Sequence, residues 1–270
     1  MNLNRDNSIA FDFYPGKLPI LVSFPHNGSE IPDEIAEMMT PAGTTSRDTD
    51  WFLDRLYDVP ELANAHQIVA KLSRYVIDLN RPSDNRVLYP GQTSTGLVPE
   101  FRFDGQSIYQ DSLPDEIEIQ RRVELYWKPY HDELHRRLTE LRKQHGFAVL
   151  IEAHSIPSQV PQLFSGTLPD FSIGTHCSSA CDRGLTASVV GVLEKQNRYS
   201  YVVDQRFIGG YITRHFGQPE NNWHAFQIEL SQATYLDEVT LEWDNEKATQ
   251  VQSVFSEIFQ SVQNWVWQHD

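Results

Sequence analysis

Two histidines in this chain follow apolar runs that read as strands, and each has carboxylates close by. His26, in Pro25-His26-Asn27-Gly28, closes the run Leu18–Phe24. His154, in Glu152-Ala153-His154-Ser155, closes Phe147–Ala153. Two imidazoles and one carboxylate form the donor set of a catalytic zinc, whose fourth position is left for water. The carboxylate could be Asp48 or Asp50 of Arg47-Asp48-Thr49-Asp50-Trp51, or Glu30, and the spacing leaves that choice open. Glu229 lies in the apolar stretch Ala225–Leu230, where burial would raise its pKa and suit it to act as a general base. Asn80-Arg81 follows the run Tyr75–Leu79, and Arg214-His215 ends the stretch Gly209–His215. Arginine holds a carboxylate through two parallel bonds, and asparagine adds a neutral donor. Metal-assisted hydrolysis of a small anion is the chemistry these residues suit.

Such residues must be brought together by the elements that precede them. In open α/β sheets, ligands bind beyond the C-terminal ends of the strands, where these clusters stand. Strands are expected over 18–24, 67–70, 75–79, 147–153, 199–203 and 224–230. Helices are expected from Pro32, over 51–56, 114–145, 178–195 and 241–267. Pro129 should kink the third of these and Gly146 should stop it. Residues 80–112 and 155–176 read as long irregular connections of the kind that wall a site. Strands alternating with helices give a single α/β domain spanning residues 1–270.

Composition removes other classes. The 270 residues carry 22 Lys+Arg against 37 Asp+Glu, a formal charge of −15, which disfavours nucleic acid and anionic membrane as partners. An anionic substrate is compatible with that charge only if its attraction is local, at arginines and a metal ion. No apolar run approaches the ~18 residues of a membrane span. The start, MNLNRDNSIAFDF, lacks the pattern of a signal peptide. Cys177 and Cys181 read as two reduced thiols, and a cytoplasmic protein is expected. His131-Asp132-Glu133-Leu134-His135 has its glutamate one place away from a zincin motif and reads as a solvated helix face. G-x-S-x-G, Walker A and G-x-G-x-x-G motifs are all absent, which disfavours a serine hydrolase, a P-loop enzyme and a dinucleotide site.

Longer stretches carry a family likeness. SFPHNGSEIP (23–32), DTDWFLDRLY (48–57), SRYVIDLNRP (73–82) and LYPGQTSTGLVP (88–99) come first. EAHSIPS with PQLFSGTLPDFSIGT (152–175), RFIGGYITRHFGQP (206–219) and HAFQIELSQATYLDE (224–238) follow in order. Through them the chain resembles the N-formylglutamate amidohydrolase (deformylase) family of histidine degradation. The resemblance implies a zinc-carboxypeptidase-like, three-layer α/β/α sandwich with a mixed sheet. It also implies metal-dependent hydrolysis of N-formyl-L-glutamate to L-glutamate and formate, with Zn2+ as the expected metal. By that likeness His26 and His154 are metal ligands and Glu229 is the catalytic acid. Asn80 and Arg81 match an Asn-Arg pair that holds a substrate carboxylate, and Arg214 with His215 would hold the second. A peptidase-style H-x-x-E would need Glu at position 29, where Ser29 stands, so Asp48 of the matching DTDW stretch is the favoured third ligand. Two alternatives keep the same residues. One is a related zinc-dependent deacylase or carboxypeptidase acting on another N-acyl amino acid, and the other a non-catalytic binder of an acidic metabolite. The sequence leaves the oligomeric state open.

Overall fold

A computed structural model describes residues 9–88 and 90–269. The reading of residues 1–8 as lacking a leader, and Tyr89 of the 88–99 stretch, lie outside the described residues. The strands are β1 (Phe11–Tyr14), β2 (Ile20–Phe24), β3 (His66–Ala70), β4 (Ala148–Ile156), β5 (Phe171–Gly174), β6 (Tyr201–Val203) and β7 (Trp223–Ser231). The helices are α1 (Asp33–Ala36), α2 (Leu53–Leu56), α3 (Glu116–Arg122), α4 (Lys128–His145), α5 (Arg183–Lys195), α6 (Tyr211–Phe216) and α7 (Asn245–His269). One seven-stranded sheet runs in the order β1-β3-β2-β4-β7-β5-β6. Strands β3, β2, β4 and β7 are mutually parallel, while β1 and β5 pair antiparallel with β3 and β7.

Strand periodicity builds two cores. Ile20, Val22 and Phe24 of β2, Val149 and Ile151 of β4, and Phe226 and Ile228 of β7 bury one face against α2, α5 and α7. The intervening Leu21, Leu150 and Ala225 turn to the other face, under α4 and α6. The central strands are therefore apolar at consecutive positions, as strands covered on both faces must be. The result is the expected three-layer α/β/α arrangement around a mixed sheet.

Three expectations are corrected. Tyr75–Leu79 is not a strand. Its side chains are buried, but Val76 N donates to Ser73 O and Asp78 N to Leu97 O, so its amides serve turns and a loop. The connection 155–176 contains β5, whose four residues FSIG are too short to show periodicity. The helix expected over 114–145 is interrupted by a π-helical turn over Val123–Trp127, just ahead of Pro129, which lies in the first turn of α4. Gly146 does end α4, at φ 85, a left-handed conformation that glycine adopts without a Cβ clash.

His131, expected on a solvated helix face, is instead buried and gives the fold an acid-sensitive point. His131 stacks on Trp127 with ring centroids 3.7 Å apart, and its Nε2–H donates to Leu79 O at 2.8 Å. Burial pushes its pKa down to about 3. Because the unfolded chain takes up this proton first, near pH 6.5, the neutral ring supports the fold fully above about pH 6.5. Below that the support declines by at most ~1.4 kcal/mol per pH unit, until the folded pKa is reached. His131→Gln is expected to flatten the acid limb of stability, measured by urea unfolding between about pH 6 and 4. An unchanged slope would assign the acid limb to other groups.

Candidate active site

Strands β2 and β4 lie side by side in parallel, with Ser23 paired to Glu152, which delivers His26, just past β2, and His154, near the end of β4, to one place. Their ring centroids are 4.9 Å apart, and both residues are buried. Asp50 completes the group: one donor atom from each of His26, Asp50 and His154 lies within 4.8 Å of the others. The backbone brings it there, since Asp50 N donates to His26 O at 3.0 Å. Asn27, next in the chain, caps α2 by accepting from Leu53 N at 3.1 Å. The loop carrying Asp50 is thus tied at both ends to the residues that follow β2.

Each imidazole has one side fixed by a carboxylate. His26 Nε2 is 2.7 Å from Asp78 Oδ1, and His154 Nε2 is 2.7 Å from Glu152 Oε1. The Nδ1 sides face Asp50: His154 Nδ1 lies 3.1 Å from its Oδ2, and His26 Nδ1 lies 3.8 Å from the same oxygen. His26 Nδ1 and Asp50 Oδ1 are buried without hydrogen-bond partners, which protein interiors rarely leave in place. A pair of imidazoles oriented by carboxylates, with orphaned donor atoms converging on a third acid, fits a metal ion. These three residues could hold one.

The supporting acids are themselves held. Glu152 Oε2 accepts from the backbone N–H of Thr213 at 3.0 Å and from its hydroxyl. Asp78 accepts from Arg74 Nη2 at 2.8 Å and from Asn80 N at 2.9 Å. Burial alone would raise the Asp78 carboxyl, but His26, Arg74 and Arg81 hold it well below the ordinary carboxylate range. Burial, helped by Arg74, lowers the His26 pKa and favours the neutral imidazole that a metal requires. For His154, burial pulls down, but Glu152 and Asp50 prevail and hold the ring at about 10. The cluster thus holds a negative environment around His154, of the kind a cation would occupy.

Glu229 stands beside this group on β7, paired in register with His154 of β4. Burial lifts its pKa to about 8, with His154 pulling against and Asp50 adding to the rise. Its Oε2 accepts from Gln227 Nε2 at 3.0 Å. Both the metal-fitting group and Glu229 line one cleft, together with Arg74, Arg81 and Arg206. A carboxyl with a raised pKa, a ligand cluster and several guanidiniums in one cleft form a site for acid–base chemistry on an anion.

Comparison with known proteins agrees with this picture. The N-formylglutamate amidohydrolase family profile matches residues 18–236. The chain belongs to that family. N-formylglutamate deformylase of Pseudomonas putida is 41% identical over 260 residues, covering 95% of this chain and 96% of the relative. The deformylase of Pseudomonas aeruginosa is 41% identical over 258 residues, covering 95% and 97%. In structure, an N-formylglutamate amidohydrolase from Ralstonia eutropha JMP134 matches with a TM-score of 0.82 at 21% identity, covering 96% and 99% of the two chains. A gene product of Agrobacterium tumefaciens matches at 0.71 and 17% identity, covering 94% and 95%.

Within this amidohydrolase scaffold, several residues expected in the site lie elsewhere. Asp48 does not join the histidines: its Oδ2 accepts from Phe103 N at 2.7 Å, while Asp50, two residues on, points inward. Glu30 is exposed. Asn80 is near but engaged. Its Nδ2 lies 3.0 Å from His154 Nε2, and its Oδ1 accepts from Ile212 N. A Cβ on Gly210 would come within 2.1 Å of that side chain, so only glycine lets α6 close on it. Arg214 and His215 do not line the cleft. Arg214 donates to Gly209 O and Leu88 O, and His215 stacks on Tyr211. Helical rotation is the reason: Thr213 faces Glu152, which turns its successor outward. Two cleft arginines were missed, Arg74 and Arg206. Arg74, four residues before Asp78, could have been flagged by the carboxylates around it.

Proposed function

We propose that the chain hydrolyses N-formyl-L-glutamate to L-glutamate and formate, using a divalent metal, zinc by preference, held by His26, Asp50 and His154. The observation that carries this is the convergence of two carboxylate-oriented imidazoles on Asp50, in one cleft with Glu229. The names of the relatives support the substrate. When bound, the metal would acidify a water molecule and polarise the formyl oxygen. Glu229 takes a proton from the water that attacks the formyl carbon, and returns it to the amine nitrogen as the C–N bond breaks. Asp78 and Glu152 keep the imidazole rings oriented throughout. Arg81, close to the histidines through Asn80, holds the α-carboxylate of the substrate.

The unpaired Cys177 and Cys181 support a reducing, cytoplasmic setting. Among the described residues no helix is long and apolar enough to cross a membrane.

A formate-release assay with and without chelator tests the proposal. Formate should appear from N-formyl-L-glutamate, cease after chelation and return when zinc is added back. Undiminished turnover after chelation, with no metal recovered from the protein, would sink the metal's role. Equal rates on acetyl- and succinyl-glutamate would broaden the enzyme to a general deacylase.

A further inference from the structure

Arg206 has no role in the mechanism above, yet it lines the same cleft as the metal-fitting group and Glu229. It follows β6, the last strand of the sheet, whereas His26 follows β2, His154 lies near the end of β4 and Glu229 sits on β7. Strands β5 and β6 run opposite to β2, β4 and β7, and the loop after β6 brings Arg206 back into the cleft that the histidines and Glu229 line. Arg81 lies at the histidine end, since its neighbours Asn80 and Asp78 contact His154 and His26.

N-formylglutamate carries two carboxylates, one for each of two such arginines. The α-carboxylate is attached to the carbon that bears the scissile nitrogen, and the γ-carboxylate is two methylenes further away. A group held with its formyl carbon at the histidines places the γ-carboxylate at the far end. Ile156, Leu163 and Phe207 also line the cleft, apolar surface suited to the two methylenes.

The Arg206 side chain is also prepared for such a partner. Its guanidinium lies 5.2 Å from the Phe207 ring centroid, and Nη2 donates to Leu163 O at 3.3 Å. Nη1 donates to Gln92 Oε1 at 2.6 Å and Nη2 to Thr93 O at 2.9 Å. Arg81 makes the same kind of contact with the same strap, through Thr95 O at 2.8 Å and Thr95 Oγ1 at 3.0 Å. The oxygens of segment 92–95 thus occupy donors on both arginines, and a carboxylate is a stronger acceptor than a carbonyl or an amide.

We propose that Arg206 reads the γ-carboxylate, and so makes the site selective for acidic over neutral N-formyl amino acids, displacing strap oxygens as it does. This rests on the proposed reaction. The test compares wild type and Arg206→Gln on N-formyl-L-glutamate and N-formyl-L-glutamine. Loss of a charge-assisted bond should lower kcat/KM for the glutamate substrate by about 30-fold, chiefly through KM. The glutamine substrate should change by less than about threefold, so that the preference collapses. Arg206→Lys, which keeps the charge but not the planar fork, should fall between. A parallel fall on both substrates, or an unchanged preference, overturns the assignment. Calorimetric binding of L-glutamate against L-glutamine reads the same preference without turnover. A wild type that prefers L-glutamate yet releases no formate would sink the proposed reaction, while Arg206→Gln would still test the γ-carboxylate role. A wild type with no such preference would overturn that role.

Discussion

Asp50→Asn is expected to strip the protein of its metal and reduce formate release by about 10³-fold or more, while Asp48→Asn leaves both within a few fold. The two acids are one residue apart from being neighbours, yet they do different work. Asp50 Oδ1 is buried without a hydrogen bond, while Oδ2 faces both imidazoles and accepts from Ser155 N at 3.0 Å. Asparagine keeps the size and an acceptor for Ser155 but removes the charge that a divalent ion needs. Asp48 accepts from Phe103 N, a bond that an amide oxygen can replace. Metal content by elemental analysis of each purified variant, beside its rate, decides the matter. Metal lost from Asp48→Asn and kept in Asp50→Asn would reverse the ligand assignment.

Glu229→Gln should lower kcat by roughly 10³-fold with metal content and L-glutamate binding retained, since a positioned general base contributes 10²–10⁴. Glutamine preserves shape and can still accept the bond from Gln227 Nε2. It cannot take up and return a proton. A base whose loss slows the rate only a few fold is not moving the proton, and water or another acid would then have to do it. If KM rose while kcat held, Glu229 would be a binding residue.

Much of the proposed centre was legible because of where the apolar runs end. His26, His154 and Glu229 each stand at or near the end of an unbroken apolar run, and parallel neighbours bring such ends together. Which acid joins the two histidines was not legible, because Asp48 and Asp50 share one short loop and only its backbone course separates them. That loop is bracketed by Ser46 at φ 49 and Phe52 at φ 60, left-handed conformations uncommon outside glycine. No propensity forecasts a phenylalanine there. Arg214 and His215 misled for a related reason. Their spacing is correct for a site, but a six-residue helix rotates Thr213 to Glu152 and turns both of them away. Arg206 was hidden in a loop after a three-residue strand, and its place in the cleft depends on the sheet order.

That sheet order also bears on how such an enzyme could change its diet. His26, His154 and Glu229 stand on or just after three adjoining strands in the middle, each flanked by partners on both sides. Arg206 hangs from the edge, behind a short strand and among loops that tolerate insertion and exchange. A lineage could therefore replace the charged end of its substrate by rewriting a few surface residues, without disturbing the geometry that breaks the amide. Invention at the margin and constraint at the centre are built into the same seven strands.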